Sequence, residues 1–306
     1  MLKSILITGA NAGLGKESAR QLALQDGVSK IYLACRNIEK AQKAMAELEQ
    51  ITGKAIFEIV IMDVSNIDSV KAAVQALPEP VDGLIMNAGG TGGKRFFEKT
   101  QQGATQIFAV NVLGHVVLAQ ALLAANKLNQ VAVYAGSEAA RGVKEMGMKR
   151  PNLKTSSVEE FEQIGNGAFF GKINDATIPY GPIKYMAALW MSSMARQYPD
   201  VRFITMSPGA TTGTEGFNTL TPIKQYAMKA MMKVMLMLGK VHKLEVGAQR
   251  FVDALQNKSF KSGVFYGSQS GLTGPVGKQS LHFADLDNVA IQDNAQLAIQ
   301  RFIKST

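Results

Sequence analysis

The chain is poor in cysteine: Cys35 is the only one among 306 residues. No internal disulfide can form, which fits a reducing compartment and makes the cytoplasm the expected location. Histidine is also scarce. His115, His242 and His282 lie far apart and lack partners at ligand spacing, so no metal site is expected. No uncharged apolar run is expected to supply the ~20 residues of a membrane span. The opening residues, Met1-Leu2-Lys3-Ser4-Ile5-Leu6-Ile7-Thr8-Gly9, run straight into a glycine turn, which is not the pattern of a signal peptide. There is no repeat, no low-complexity tract and no Pro/Gly-rich linker, so residues 1–306 are expected to form one domain.

What is present is a large apolar fraction, 46%, with 19% charged residues, enough for a substantial core. The net charge is +9. The basic residues are scattered (Lys3, Lys16, Arg20, Lys30, Arg36, Lys40, Lys43), apart from a dense patch at 144–154 that reads as a surface loop. Nucleic-acid binders gather such charge on one face with aromatics. No nucleic-acid partner is therefore expected; the excess charge reads mostly as a solvated surface, with some attraction for phosphorylated cofactors.

Short apolar runs alternate with helical patterns. Candidate strands are 3–8, 30–35, 56–62, 82–87, 129–135, 201–207 and 263–267. Candidate helices are 13–26, 38–52, 66–77, 101–126, 180–198 and 245–256. The alternation predicts an α/β fold, a Rossmann-type doubly wound parallel sheet of about seven strands with helices on both faces. Strands such as Ile31-Tyr32-Leu33-Ala34 are continuously apolar, as burial on both faces requires. In 101–126, Ile107, Val110, Gly114, Val117, Ala121 and Ala125 recur at helical spacing. Two segments, about 138–178 and 213–243, are long insertions near the expected substrate pocket.

Thr8-Gly9-Ala10-Asn11-Ala12-Gly13-Leu14-Gly15 follows the first strand and opens a helix. Glycine lets the backbone turn tightly and approach a pyrophosphate, and the helix N-terminus supplies N–H groups. An NAD enzyme places a carboxylate at the end of the second strand. This chain has Cys35, Arg36 and Asn37 there, with Lys40 one turn on. A guanidinium suits a 2′-phosphate, so the expected cofactor is NADP(H); the other reading of Arg36 is a plain surface residue. Asp63-Val64 ends the third strand, where the carboxylate either accepts from adenine or caps the helix at 66–77. Asn87-Ala88-Gly89-Gly90 ends the fourth strand, either against the cofactor or as a structural turn.

Tyr180 and Lys184 stand at i and i+4 near the start of a helix, so phenol and ammonium can converge. A free tyrosine with a pKa near ~10 is a poor base at neutral pH, and a neighbouring cation lowers that value.

In order, Thr8–Gly15, Asp63, Asn87-Ala88-Gly89, Asn111, Ser137, Tyr180, Lys184 and Pro208-Gly209 resemble the short-chain dehydrogenase/reductase family over roughly residues 3–210. Leu33-Ala34-Cys35-Arg36-Asn37 and Val110-Asn111-Val112-Leu113-Gly114-His115 look most like its retinol dehydrogenase and light-dependent protochlorophyllide reductase branch. The resemblance implies that Tyr180 is the acid/base and that Lys184 lowers its pKa and holds the nicotinamide ribose. It implies that Ser137 binds the substrate oxygen, that Asn111 holds a water linking Lys184 to solvent, and that Pro208-Gly209 pass the nicotinamide. The chain departs from the family in three places. Gly136 stands where consecutive serines are usual. The Ser137–Tyr180 separation is long, like the insertion of monomeric carbonyl reductases, which leaves monomer and homodimer both open. The threonine after Pro208-Gly209 is displaced, to Thr212 or Thr214. Protochlorophyllide reduction is disfavoured because Cys35 belongs to the cofactor side.

The stretch 226–238 is Met-rich, with Lys229 and Lys233 one turn apart. Flexible methionines fit irregular apolar ligands, so a lid over an apolar small-molecule substrate is expected. A packed helix, an oligomer contact or a peripheral membrane contact are the other readings. Phe96, Phe97, Phe169 and Phe170 are candidate pocket walls, though such residues are more often core than pocket. The expected function is hydride transfer between NADP(H) and a carbonyl or alcohol, with a non-catalytic NADP(H) sensor as the alternative.

Overall fold

A computed structural model describes residues 2–143, 149–212 and 234–304. Eight strands form one sheet in the order β3-β2-β1-β4-β5-β6-β7-β8. They are β1 (Ser4–Thr8), β2 (Lys30–Cys35), β3 (Phe57–Ile61), β4 (Val81–Met86), β5 (Leu128–Ala135), β6 (Arg202–Met206), β7 (Phe265–Ser268) and β8 (Val276–Lys278). The first seven pair in parallel, and β8 adds an antiparallel edge to β7. The sheet is thus the expected doubly wound one, with one strand more than the sequence pattern predicts.

Side chains on a strand alternate between faces, and the apolar strands fill two cores in this way. Leu6, Tyr32, Leu84, Ala132 and Tyr134 enter one core, which also takes α3 (Ile67–Ala76), α4 (Gln106–Ala124), α6 (Thr177–Gln197) and α8 (Val289–Lys304). Ile5, Ile7, Leu33, Ile85 and Val133 enter the other, under α1 (Gly13–Ala23), α2 (Ile38–Thr52) and α7 (Leu244–Gln256).

The structure amends several expectations. The helix predicted over 101–126 begins at Gln106 and contains a π-turn at Ala109–Leu113. It is uncharged, 19 residues long, and apolar enough for a span, against the expectation that no run reaches this size. The reason is burial: 72% of its apolar window is packed inside the protein. The segment 138–178 contains α5 (Val158–Asn166), capped by Ser157, whose side chain accepts from the Glu160 N–H. Phe96, Phe97, Phe169 and Phe170 pack on the first core, so they are walls of the fold. Residues 226–233 of the Met-rich stretch lie outside the described residues; beyond them, Val234, Met237 and Leu238 are exposed.

Candidate active site

A doubly wound sheet opens a crevice where its strand order reverses, outside the C-terminal strand ends. Here the reversal lies between β1 and β4. A cleft of about 900 Å³ runs from Arg36, Asn37 and Lys40 past Asp63 and Val64 to Ser137, Tyr180 and Lys184.

Close packing shapes the nucleotide end. Gly9 and Gly13 take φ of +66° and +53°, which favour glycine. A Cβ on Gly15 would lie 2.5 Å from the Gly9 carbonyl and 2.5 Å from Asn87 Nδ2, so only hydrogen fits where α1 meets the turn. Thr8 is fully buried behind the turn. Its Oγ1 accepts from the Asn87 and Ala88 N–H groups, both at 2.9 Å, and joins the ends of β1 and β4. Asn87 Nδ2 donates to the Thr8 and Gly9 carbonyls at 2.9 and 3.3 Å. Ala12, at the N-cap of α1, offers no side-chain acceptor, and the first turn has no acid. The opening N–H groups of α1 are therefore left to an anion, and the cradle fits a dinucleotide diphosphate.

At the end of β2, Cys35 is buried, and burial pushes its thiol up to about 11, which makes it inert. The exposed Arg36 guanidinium lies 3.8 Å from Asp63 Oδ2. Asn37 caps α2 by accepting from the Lys40 N–H. Asp63 accepts from both the N–H and the hydroxyl of Ser65, while Asn66 caps α3. Asp63 therefore does not perform the capping role weighed for it.

At the other end, Ser137 caps a 3-10 turn, Glu138–Arg141, by accepting from the Ala139 N–H at 3.2 Å. Gly136 replaces the usual serine because a Cβ there would lie 2.8 Å from both Phe265 and Thr205. Tyr180 and Lys184 are the fourth and eighth residues of α6. A Cβ on Gly181 would come within 2.7 Å of the Ala139 carbonyl, so glycine lets α6 press on the Ser137 turn. Ser137 and Tyr180 face the same cleft, near enough for the serine hydroxyl to favour the phenolate. Lys184, almost fully buried, donates to the Ala135 carbonyl at 2.9 Å and to Tyr134 Oη at 3.2 Å. The side chain of Asn111 is committed to the loop beyond β4. Its Nδ2 donates to the Gly90 and Ile107 carbonyls, and its Oδ1 accepts from the Gly90 N–H.

The electrostatics reverse one expectation. Burial raises the Tyr180 phenol, the Glu138 carboxylate raises it further, and the Ser137 hydrogen bond only partly offsets them, leaving it at about 12. Lys184 was expected to lower it, but burial pulls the lysine itself down to about 7. Between about 7 and the ordinary 10.5, the unfolded chain binds a proton at Lys184 that the folded chain does not. Stability from this group therefore rises with pH across that window and is lost as pH falls through about 7. Lys184→Met is expected to flatten the rise. Urea midpoints of both proteins at about pH 6 and about pH 9 check this, and equal slopes would contradict it.

Pro208 and Gly209 line the cleft, and Gly209 has φ +74°, with the Leu272 carbonyl where a Cβ would be. Thr211, and not Thr212, borders the cleft; the Thr212 N–H is spent on the His242 carbonyl at 2.9 Å. Thr214 lies outside the described residues. The His242 N–H donates to the Ala210 carbonyl at 2.6 Å, so Thr211 and His242 pair in one parallel bridge. Of the sequence-predicted residues, Asn11, Ala12, Gly13, Leu14, Ala88 and Gly89 also line the cleft, while Thr8, Gly15 and Asn111 support it from behind.

Three neighbours escape the sequence reading. Glu138 is buried and accepts from Ser207 Oγ and the Ser268 N–H. Tyr134 touches Lys184, and His115 touches Thr8. The signals were an acid in an apolar turn, a phenol three positions before Ser137, and a histidine four positions after Asn111.

Residues 3–142 match the short chain dehydrogenase family. Over those residues, and in its Rossmann-type sheet, the chain is similar to the short-chain dehydrogenase/reductase family. It is similar to retinol dehydrogenase 11 of Homo sapiens, 36% identical over 124 residues, 40% of this chain and 38% of that protein. The chain thus spans well under half the length of that relative. Among solved structures, a protein from Mycobacterium paratuberculosis has a TM-score of 0.69 at 20% identity, covering 98% of this chain and 93% of that one. L-sorbose reductase from Gluconobacter frateurii, complexed with NADPH and L-sorbose, has a TM-score of 0.62 at 16% identity, covering 88% and 96%. At such identities the likeness is one of fold.

Proposed function

We propose that this chain is a cytoplasmic NADP(H)-dependent oxidoreductase that moves a hydride between the nicotinamide and a carbonyl or alcohol carbon of an apolar small molecule. The observation that carries the reading is the convergence of Ser137, Tyr180 and Lys184 on the cleft that begins at the glycine turn. The nicotinamide, when bound, supplies or accepts the hydride. Tyr180, a neutral phenol at ordinary pH, donates a proton to the carbonyl oxygen in reduction and takes it back in oxidation. Ser137 hydrogen-bonds that oxygen and fixes the reacting carbon. Lys184 holds the ribose hydroxyls and favours the phenolate once the site is filled. Ala139, Val143 and Leu272 line the cleft and suit an apolar substrate. That retinol dehydrogenase 11 is a relative agrees with an apolar alcohol or aldehyde.

A screen of apolar ketones and aldehydes, following NADPH absorbance, tests the activity; no turnover with any of them would overturn it. Arg36→Ala tests the cofactor. Losing a hydrogen bond to a charged phosphate costs about 1.5–3 kcal/mol, so KM for NADPH should rise at least about tenfold while that for NADH stays put. An unchanged NADPH-to-NADH ratio would remove NADP(H) from the reading.

A further inference from the structure

Lys184 is gripped from the sheet side by a phenol. Tyr134, fully buried on β5, presents Oη 3.2 Å from Lys184 Nζ, and the ammonium lies 4.7 Å from the centre of its ring. The tyrosine cannot swing away. Its ring stands edge-on to His115 at 5.8 Å and to Trp190 at 6.5 Å.

The direction of each hydrogen bond follows from what its partner can do. Tyr134 Oη lies 2.7 Å from the main-chain carbonyl of Asn111, which can only accept, so the single hydroxyl proton points there. The lone pairs of Oη are what remain for Lys184. The same carbonyl faces His115 Nδ1 at 3.2 Å, which places the imidazole proton on Nδ1. His115 Nε2 then accepts from Thr8 Oγ1 at 3.0 Å. Burial holds this histidine at about 3, so it stays neutral. The resulting chain, Thr8 to His115 to the Asn111 carbonyl and from Tyr134 to the same carbonyl, has no free rotor. The resemblance to the family implies a water between Asn111 and the lysine; in this chain a tyrosine hydroxyl spans that interval.

We propose that Tyr134 is a positioning residue for Lys184, its hydroxyl oriented by the Asn111 carbonyl so that the ammonium is held at the end of β5 with its remaining N–H turned to the cleft. The proposal rests on the reading of Tyr180 and Lys184 as the acid–base pair. It also has a directional consequence. The hydroxyl proton ends on a carbonyl, which passes none onward, so Lys184 exchanges protons through the cleft.

The titratable groups around Lys184 are Tyr180 on the same helix, Tyr134 on β5 and His115 on α4, with Glu138 acting on Tyr180. Only Tyr134 offers it a side-chain acceptor among the described residues. Tyr134→Phe removes that acceptor and keeps the ring. The first readout needs no cofactor: competitive acylation of the full chain by acetic anhydride across pH, with Lys184 followed by mass spectrometry. Loss of a hydrogen bond to an ionised group should lower the Lys184 midpoint by about one unit. The second readout is the kinetic split. kcat for carbonyl reduction should fall about tenfold, with KM for the carbonyl unchanged. Fluorescence of Trp190, the sole tryptophan, checks that the fold is intact. If the phenylalanine variant does not fold, 3-fluorotyrosine at 134 keeps the shape, weakens the acceptor and should move the midpoint the same way. An unchanged midpoint in a folded variant overturns the proposal. A shifted midpoint in a protein inactive toward every carbonyl would instead sink the acid–base reading and leave the Tyr134–Lys184 coupling standing.

Discussion

Tyr180→Phe is expected to lower kcat for carbonyl reduction by about 10²–10⁴-fold, the usual contribution of a positioned general acid. Affinity for NADPH should stay within about threefold, because the ring remains and only a hydroxyl is lost. Burial and the Glu138 charge keep the phenol at about 12, so in the free protein the proton to be delivered is present throughout the neutral range. In the proposed mechanism Ser137 binds the oxygen and Tyr180 alone delivers the proton. Steady-state kinetics and a fluorescence titration with NADPH separate the two effects. A variant retaining more than about a tenth of wild-type kcat would show that the proton comes from elsewhere.

Gly114→Ala is expected to be the most damaging single methyl in the nucleotide half. A Cβ at Gly114 would stand 1.8 Å from the Val64 carbonyl oxygen and 2.7 Å from its carbon. These are backbone atoms, so no side chain can rotate out of the way. Overpacking a core commonly costs about 1–3 kcal/mol, and a backbone clash belongs at or beyond the top of that range. Val64 also lines the cleft, so the helix and the cofactor wall would have to separate together. Urea unfolding should show a sharply lowered midpoint or no folded protein. A midpoint within experimental error of wild type would mean that α4 can slide, contrary to the packing described.

The first 90 residues were legible because local signals agree there. Apolar strands, a glycine turn and helix periods follow one another at short range, and β1 to β4 lie within a residue or two of their predicted spans. The pair Tyr180 and Lys184 was legible because i and i+4 share a helix face. What escaped lacks a local signature. β8 is three residues, Val276-Gly277-Lys278, too few to alternate. The π-turn at Ala109–Leu113 differs from α-helix by one residue per turn and leaves the apolar period nearly intact. The contacts of Tyr134 with Lys184 and of His115 with Thr8 join positions 50 and 107 residues apart, which no spacing rule reaches. The phenol of Tyr180 was expected to be acidified, because a lysine one turn away is visible in sequence while the burial of both and the carboxylate of Glu138 are not.

The bridge between Thr211 and His242 has a bearing on how such a protein can change its substrate. It is fastened by two main-chain hydrogen bonds and by Arg250 on His242. The core thereby holds Thr211 and His242 side by side, and Thr273 and the buried Val241 extend that hold on the described side of the bridge. Closing a loop grows costlier very slowly with length, about 0.6 kcal/mol per doubling. A change in length between the two ends therefore costs little in loop closure while the bridge persists. The bridge in this sense fixes two ends and leaves the length between them open.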